Sequence, residues 1–260
     1  MQQLNFLTLI LLLTLAFACG ESATTVTTTN TETPPPAQKE FPAFFQKILN
    51  AHGGLERWNA MNTLKFTVAP ADYVVDLQTR KETIAEEGKY TFGNDGDKVW
   101  ITPHRDSFPS KQPRFMKNLR FYFVAIPFVF ADDGVNLEDQ GMQTINEKEY
   151  QVTRISFGEN VGDAPEDEYY MYVDPTNSKI DFITYSVTYF DQQKSTKFNA
   201  LKYEWADANG ILFPTKMLGY KWENNELGEM RYERVVSNTS FSKDKMEDGY
   251  FAIPAGAWTD

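Results

Sequence analysis

The chain is poor in the residues that most often build metal and redox sites. Its 260 residues include one cysteine, Cys19, and two histidines, His52 and His104. A single cysteine cannot form an intramolecular disulfide, so the folded part must depend on its apolar core. The two histidines are far apart in sequence, whereas structural and catalytic metal sites use clustered ligands. We therefore expect no metal and no cofactor.

The sequence also lacks an excess of positive charge. It has 25 Lys and Arg against 36 Asp and Glu, which gives a formal net charge of −11 and a pI of about 4.8. Nucleic-acid binding normally uses a basic patch or stripe, and no such stripe is visible. An acidic body also disfavours adsorption to anionic lipid headgroups. We expect no nucleic-acid partner.

No catalytic motif stands out. The chain contains no Gly-x-Ser-x-Gly elbow, no Gly-x-x-x-x-Gly-Lys-Ser/Thr phosphate loop and no Cys-x-x-Cys pair. The acidic stretch 163–168 could bind calcium, but its spacing differs from an EF-hand loop, and a solvated loop is the simpler interpretation. A pair of carboxylates that hydrolyses glycosides stays an open alternative, because the sequence does not report how far apart two carboxylates lie in the folded protein. We predict a protein that is not an enzyme.

What the N-terminus does contain is a short apolar run, residues 7–18, followed by Cys19. The run is too short for a membrane span, which needs about 20 residues, and has the length of a signal-peptide core. Small residues just before a cysteine are typical of a bacterial lipoprotein signal. We predict a lipoprotein signal peptide at residues 1–18 and lipid attachment at Cys19. An ordinary cleaved signal and an uncleaved anchor are the alternatives.

Residues 19–40 are rich in Thr and Pro and have almost nothing to bury. Such a stretch cannot offset the entropy of becoming ordered, so we expect a disordered tether between the lipid and a folded domain at residues 41–260. The protein should sit in the cell envelope, attached by lipid. Gly20 follows the cysteine where many inner-membrane lipoproteins have Asp, which favours the outer membrane, on its periplasmic face or at the cell surface.

The folded part begins with helical spacing. Apolar side chains in residues 41–52 recur every three or four positions, Gly53 and Gly54 then end the helix, and residues 55–61 can form a second short helix. The segment 114–130 lacks strict alternation and is apolar on nearly all sides from Leu119 onward. We predict a helix that ends near Pro127, with a pair of central strands as the alternative.

Elsewhere the pattern has period two, and turns such as Asn209-Gly210 join antiparallel strands. One face of these strands is polar, and the other is rich in Tyr and Trp as well as aliphatic residues. Such strands suit a strongly curved antiparallel sheet with one solvated face. The expected strands are 73–79, 87–92, 99–101, 169–173, 180–190, 201–205, 211–222 and 229–236.

Aromatic rings with polar tips often line ligand cavities, and the chain has 20 Phe, 13 Tyr and 5 Trp. We therefore predict a hydrophobic-ligand site on the inward face and under the apolar helix. The alternative is that the same rings fill an ordinary core. The candidate ligand-binding residues are Phe121, Tyr122, Phe128, Phe130, Tyr185, Tyr189, Tyr203, Trp205, Tyr220 and Trp222.

Several segments resemble known proteins. Residues 51–58 (AHGGLERW) resemble the junction between helix and strand in proteins similar to LolA, LolB and LppX. Residues 121–132, 161–169, 185–189 and 209–214 resemble motifs of a family of uncharacterised lipoproteins in Bacteroidota. The resemblance covers nearly all of the expected domain. It implies a mainly β fold with helices, in which a curved antiparallel sheet forms a half-open, incomplete β-barrel covered by helices.

The resemblance implies lipid binding, since LolA-like members hold the acyl chains of lipoproteins and LppX-like members hold other lipids. It implies no catalytic residue. Our first hypothesis is a lipid-anchored, monomeric protein that binds or carries a hydrophobic small molecule or lipid. The second is a non-enzymatic interaction lipoprotein with a filled core, and the third is a hydrolase.

Overall fold

The computed structural model describes residues 39–158 and 161–260. The expected signal peptide, the attachment site at Cys19 and nearly all of the tether lie outside the described residues. The chain divides into two units, Met1–Glu40 and Phe41–Asp260, and every element below belongs to the second. Across the described ranges, we find no helix with the length and apolar character needed to traverse a bilayer.

Two helices open the second unit, as the spacing predicts. Helix α1 (Ala43–Ala51) buries Phe45, Ile48 and Leu49, and helix α2 (Leu55–Asn59) buries Trp58. Gly53 and Gly54 between them have φ values of 116° and 87°, which side chains with a Cβ rarely adopt.

Fourteen strands follow in the described part of the chain. In order they are β1 (Thr63–Val68), β2 (Ala71–Asp76), β3 (Glu82–Glu86), β4 (Tyr90–Asn94), β5 (Val99–Thr102), β6 (Val135–Ile145), β7 (Lys148–Phe157), β8 (Tyr169–Val173), β9 (Ile180–Tyr185), β10 (Asn199–Ala208), β11 (Ile211–Glu223), β12 (Glu226–Val235), β13 (Ser237–Ser242) and β14 (Trp258–Thr259).

These strands form two seven-stranded antiparallel sheets. The first sheet has the order β13-β1-β2-β3-β4-β5-β14, and the second runs β12-β11-β10-β9-β8-β7-β6. The chain passes from the second sheet to the first at Val236, a single buried residue between β12 and β13 whose N–H donates to the Thr215 carbonyl at 2.8 Å. The mainly β class with few helices and antiparallel pairing is thus confirmed, with two sheets where the sequence predicted one.

The apolar segment between β5 and β6 is helical, so the alternative of two central strands is wrong. It is broken into three short pieces, however: α3 (Pro113–Met116), α4 (Leu119–Val124) and a 3₁₀ turn, Phe128–Ala131. The break between α3 and α4 falls at Asn118, whose φ is 57°. The backbone N–H of Asn118 donates to the buried carboxylate of Glu82 on β3, and this tertiary contact fixes the kink.

One expected strand is too long. Residues 180–190 are predicted as a single strand, but β9 ends at Tyr185, where its pairing with β10 begins at Asn199. Beyond it, Ser186 donates its N–H to the Glu168 carbonyl and Thr188 donates its N–H to the Asp167 carboxylate. The chain therefore leaves the sheet to bond a loop. Strands β3, β6, β7, β13 and β14 have no counterpart among the expected strands. Most of β6 is exposed, so it lacks a clear apolar alternation.

The main apolar core combines aliphatic side chains with stacked rings from both sheets and the helices. Trp58 stacks on Phe128 with ring centroids 4.5 Å apart, and Phe92 stacks on Phe108 at 4.9 Å. A second apolar cluster lies on the other face of the second sheet, where Tyr172 stacks on Phe182 at 4.1 Å. The second sheet is therefore apolar on parts of both faces.

Candidate functional site

Two adjoining clefts lie where helices α3 and α4 cross the second sheet. They share a wall formed by Phe115, Leu119, Phe123, Asp167 and Tyr169. The first, which we call the sheet cleft, has a volume of about 350 Å³ and extends over β10 to β12. The second, the loop cleft, has a volume of about 260 Å³ and extends toward residues 161–164. Small-molecule sites typically measure roughly 300–1,000 Å³.

The strand register determines which side chains reach the sheet cleft. Leu201 on β10 lies opposite Gly219 on β11, which lies opposite Tyr232 on β12. Two residues before Gly219 on β11, Met217 lies opposite Arg234 on β12. Directly paired residues in a sheet share a face, so these side chains together form the floor of the cleft. The helices supply its roof.

Gly219 is a glycine because of the Tyr232 ring. A Cβ built at Gly219 would lie 2.3 Å from Cζ of Tyr232, so the ring crosses the strand through the space that a side chain would occupy. A side chain at position 219 would displace the Tyr232 ring. With glycine there, the ring lies in the wall of the sheet cleft.

We therefore expect Gly219→Ala to displace the Tyr232 ring and to lower the free energy of unfolding by about 1–3 kcal/mol, the usual cost of overpacking. Urea denaturation would measure the loss. The matched control is Gly228→Ala on β12, where the nearest atom to the added Cβ is 3.5 Å away and no loss is expected. Equal effects of the two substitutions would contradict this account of Gly219.

Tyrosines give the sheet cleft neutral polar groups. Tyr185 stacks on Tyr169 with centroids 6.0 Å apart, packs on Phe123 at 4.8 Å and hydrogen bonds to Tyr232. Behind them, the hydroxyl of Tyr203 donates to the Phe123 carbonyl at 3.0 Å. Burial raises the pKa of Tyr169, Tyr185 and Tyr203 above the ordinary value, so all three stay protonated at neutral pH.

Charged groups line the same cleft. Arg120 on α4 hydrogen bonds to the Tyr73 hydroxyl, and Arg234 on β12 holds its Cζ 3.9 Å above the Tyr232 ring centre. Burial lowers the pKa of Arg120, and the charge of Arg234 lowers it further. Asp167 accepts hydrogen bonds from the Thr188 N–H at 2.6 Å and its hydroxyl at 2.9 Å, while burial raises the pKa of its carboxyl group.

The ten aromatic residues predicted to bind ligand occupy different places. Three of them line the clefts: Tyr122, Tyr185 and Tyr189. Four are buried in the core and line neither cleft: Phe121, Phe128, Phe130 and Tyr203. The remaining three also lie away from the clefts: Trp205, Tyr220 and Trp222. The structure therefore does not bring the predicted set together.

The last three residues have other partners. Trp205 packs on His52 with ring centroids 4.9 Å apart and donates its indole N–H to the Ile180 carbonyl at 2.7 Å. Trp222 belongs to the outer cluster on Tyr172 and Phe182 and lines a polar surface pocket of about 680 Å³. Tyr220 lies opposite Met230 on β12.

Sequence reasoning missed most of the cleft wall. The side chains of Phe115, Leu119 and Phe123 fall within the apolar segment 114–130, so the composition of that segment is the usable indication. No sequence pattern indicates that Arg120 and Arg234 line the same cleft. The two residues are far apart in sequence, and only the fold brings them together.

The described residues offer no cluster of three or more His, Cys, Asp or Glu that could hold a metal ion. His52 is structural: its Nδ1 lies 2.8 Å from the Ile48 carbonyl, and its Nε2 accepts the Ile180 N–H at 3.4 Å. Burial lowers the pKa of His52 to about 4. A neutral ring whose two nitrogens both take part in hydrogen bonds is suited to packing.

The fold and clefts define a two-sheet antiparallel β protein with a helical cover. Residues 110–220, which contain α3, α4 and the shared cleft wall, match the model of a family of unknown function, DUF6503. The predicted relationship to an uncharacterised family is thereby confirmed. A comparison with curated protein sequences finds no match.

Several solved structures are similar in arrangement. A LolA superfamily protein from Nitrosomonas europaea is 9% identical, with a TM-score of 0.44 over 73% of this chain and 87% of that one. A DUF1329 family protein from Desulfovibrio piger is 10% identical, with a TM-score of 0.44 over 80% and 95%. The lipoprotein LppX of Mycobacterium tuberculosis is 14% identical, with a TM-score of 0.25 over 76% and 93%.

Proposed function

We propose that this chain is a non-enzymatic, lipid-anchored envelope protein that binds or carries a hydrophobic ligand, either a lipid or an acyl chain. One observation carries the proposal: the apolar cover formed by α3 and α4 does not seal against the second sheet but leaves two adjoining clefts there. The main apolar core is built of buried aliphatic side chains and stacked rings, so we place the ligand in the clefts rather than in a central hollow.

The chemistry of the walls supports an apolar ligand. Phe115, Leu119 and Phe123 form the shared wall with Tyr169, while Leu201 and Met217 form part of the floor. Burying one methylene group stabilises a complex by roughly 0.8 kcal/mol. An alkyl segment of about six methylenes could therefore contribute about 5 kcal/mol before the costs of association are subtracted.

The proposed protein is anchored by lipid, and its folded unit is an incomplete barrel. Lipid at Cys19 and the tether at residues 19–40 would attach the unit to the outer membrane, at the periplasmic face or the cell surface. A fully extended tether would reach roughly 70 Å. The two sheets, joined covalently at Val236, would form the half-open, incomplete barrel, and the protein would act as a monomer.

Leu119→Gln tests the clefts, because Leu119 lines both of them. We expect the wild-type protein, purified in mild detergent from cells that produce it, to carry about one non-covalent lipid per chain. The variant should carry at least ten times less, since a polar amide would lie in both apolar walls. Organic extraction followed by quantitative mass spectrometry gives the ratio of lipid to protein.

Leu227→Gln is the matched control. Leu227 is also half-buried, but it packs on the outer cluster of the second sheet, so its substitution should leave lipid occupancy unchanged. Thermal unfolding of both variants verifies that they are folded. Repeated absence of lipid from the wild-type protein would contradict the proposal and favour a protein that acts only through its surface.

A further inference from the structure

The sheet cleft combines apolar walls with two arginines for which the described part of the chain supplies no acidic partner. The arginines that form ion pairs among the described residues are Arg80, Arg114 and Arg154. Arg120 and Arg234 are not among them, although both line the cleft. Arginines in half-buried positions usually pair with a carboxylate or phosphate. Two such arginines at one site therefore need an explanation.

The two guanidinium groups are held in place by aromatic hydroxyls and rings. Arg120 hydrogen bonds to the hydroxyl of Tyr73, which stacks on Phe66 with centroids 4.6 Å apart. Arg234 lies 3.9 Å above the Tyr232 ring centre. These neutral partners orient the two cations, and no carboxylate in the described ranges forms an ion pair with either of them. Two like charges that face one cleft repel each other, and a bound anion would remove that repulsion.

The cleft's only acidic lining residue among those described does not neutralise the arginines. Asp167 is engaged by Thr188, whose N–H and hydroxyl both donate to its Oδ1. Asp167 also belongs to the wall shared with the loop cleft, whereas the arginines line the sheet cleft alone. The charge within the sheet cleft is therefore separated, with the cationic part near Tyr232 and the acidic part at the shared wall.

We propose that the sheet cleft selects amphiphiles with an anionic headgroup, whose carboxylate or phosphate oxygens bind Arg120 and Arg234 while the alkyl tail lies against Phe123, Leu201 and Met217. This inference rests on the proposed function and adds the chemical class of the ligand. Guanidinium groups bind both kinds of headgroup through paired N–H donors, so the two headgroup chemistries share one site.

The test compares probes that share a tail and differ in the headgroup. The full-length chain carrying Cys19→Ser is dialysed to equilibrium against labelled dodecanoate, dodecyl phosphate, dodecanol or inorganic phosphate, each below its critical micelle concentration where one exists. We expect dodecanoate, dodecyl phosphate or both to bind at least ten times more tightly than dodecanol. The arm that binds identifies the headgroup. Inorganic phosphate alone should bind at least ten times more weakly than dodecyl phosphate.

Arg120→Met and Arg234→Met keep most of the apolar stem and remove the charge. Each should reduce the preference for the anionic probe over dodecanol about ten-fold. The matched control is Arg231→Met, on the same strand as Arg234 but lining the pocket on the other face of the sheet, and its preference should equal that of the wild type. If Arg120→Met proves unfolded in a thermal melt, Arg234→Met decides the result alone.

The outcomes separate the two proposals. Equal binding of dodecanol and both anionic probes would overturn the anionic selection and leave the hydrophobic site standing. Failure of every alkyl probe to bind would overturn both. Anionic preference that survives in Arg234→Met, or that falls equally in Arg231→Met, would overturn the assignment to this pair of residues. Inorganic phosphate binding as tightly as dodecyl phosphate would show that the tail contributes nothing.

Discussion

Replacing Gly53 with alanine is expected to lower the free energy of unfolding by at least about 3 kcal/mol, because two penalties combine there. Gly53 has a φ of 116°, and a Cβ would lie 2.4 Å from the Gly210 carbonyl oxygen and 2.8 Å from the α-carbon of Ile211. Both atoms belong to the backbone of the β10–β11 hairpin, so they cannot move as a flexible side chain would. Urea denaturation of the two proteins would measure the difference.

The adjacent glycine provides a matched control. Gly54 has a φ of 87°, but a Cβ there would meet none of the described atoms within 4 Å. Gly54→Ala should therefore cost only the conformational penalty of a positive φ, about 1–2 kcal/mol. Losses of the same size at both positions would show that the close approach of α1 to the hairpin does not matter, and would contradict the prediction for Gly53.

Glu82→Gln is expected to stabilise the protein at alkaline pH by a few kcal/mol. Glu82 is fully buried on β3, and burial raises the pKa of its carboxyl group to about 8. One oxygen accepts the Asn118 N–H, while its Oε2 has no hydrogen-bond partner within the described ranges. A charge held there lacks full compensation, and glutamine retains the shape of the side chain without the charge.

The direction of the pH effect follows from proton linkage. An unfolded glutamate titrates near 4.5, so between pH 4.5 and 8 the folded protein binds more protons than the unfolded chain. The contribution of Glu82 to stability is therefore fully present below about pH 4.5, decreases as pH rises, and is lost above about pH 8. We expect Glu82→Gln and the wild type to be equally stable at pH 4.5 and to diverge up to pH 9.

Chemical denaturation at several pH values between 4.5 and 9 would test this. His52 contributes the opposite slope, since its lowered pKa makes stability rise between about pH 4 and 6.5, but it is present in both proteins and cancels in the comparison. Glu86→Gln, on the same strand with Lys89 as its ion-pair partner, controls for removal of any one carboxylate from β3. A pH profile for Glu82→Gln that parallels the wild type would contradict the prediction.

Local patterns in the sequence predict the elements whose cause is local. Helices α1 and α2 follow from apolar spacing and the two glycines, and the β10–β11 hairpin follows from Asn209-Gly210. The break between α3 and α4 could not be predicted in this way. It depends on a hydrogen bond between Asn118 and Glu82, which is a contact between sequentially distant residues that only the folded sheet creates.

The same limit explains the candidate site. Alternation assigns residues to two faces but does not identify which face encloses a cleft. In β11 the pairing with β10 is regular from Lys216 to Lys221, so Tyr220 and Trp222 lie on the face opposite Met217 and Gly219. Trp222 therefore belongs to the outer cluster, and only the folded sheet shows that the cleft lies on the other face. The helical character of the apolar segment at α3 and α4 is confirmed, because it depends on composition rather than on strand register.

The passage of the chain at Val236 has a consequence for the order of folding. Strands β6 to β12 are neighbours in both sequence and space, so the second sheet can assemble from successive hairpins. Strand β1, in contrast, pairs on one side with β13, with Thr63 opposite Ser242. That edge of β1 stays unpaired until β13 is available to pair with it. Unpaired strand edges promote aggregation, so the first sheet is most exposed to aggregation before β13 has paired.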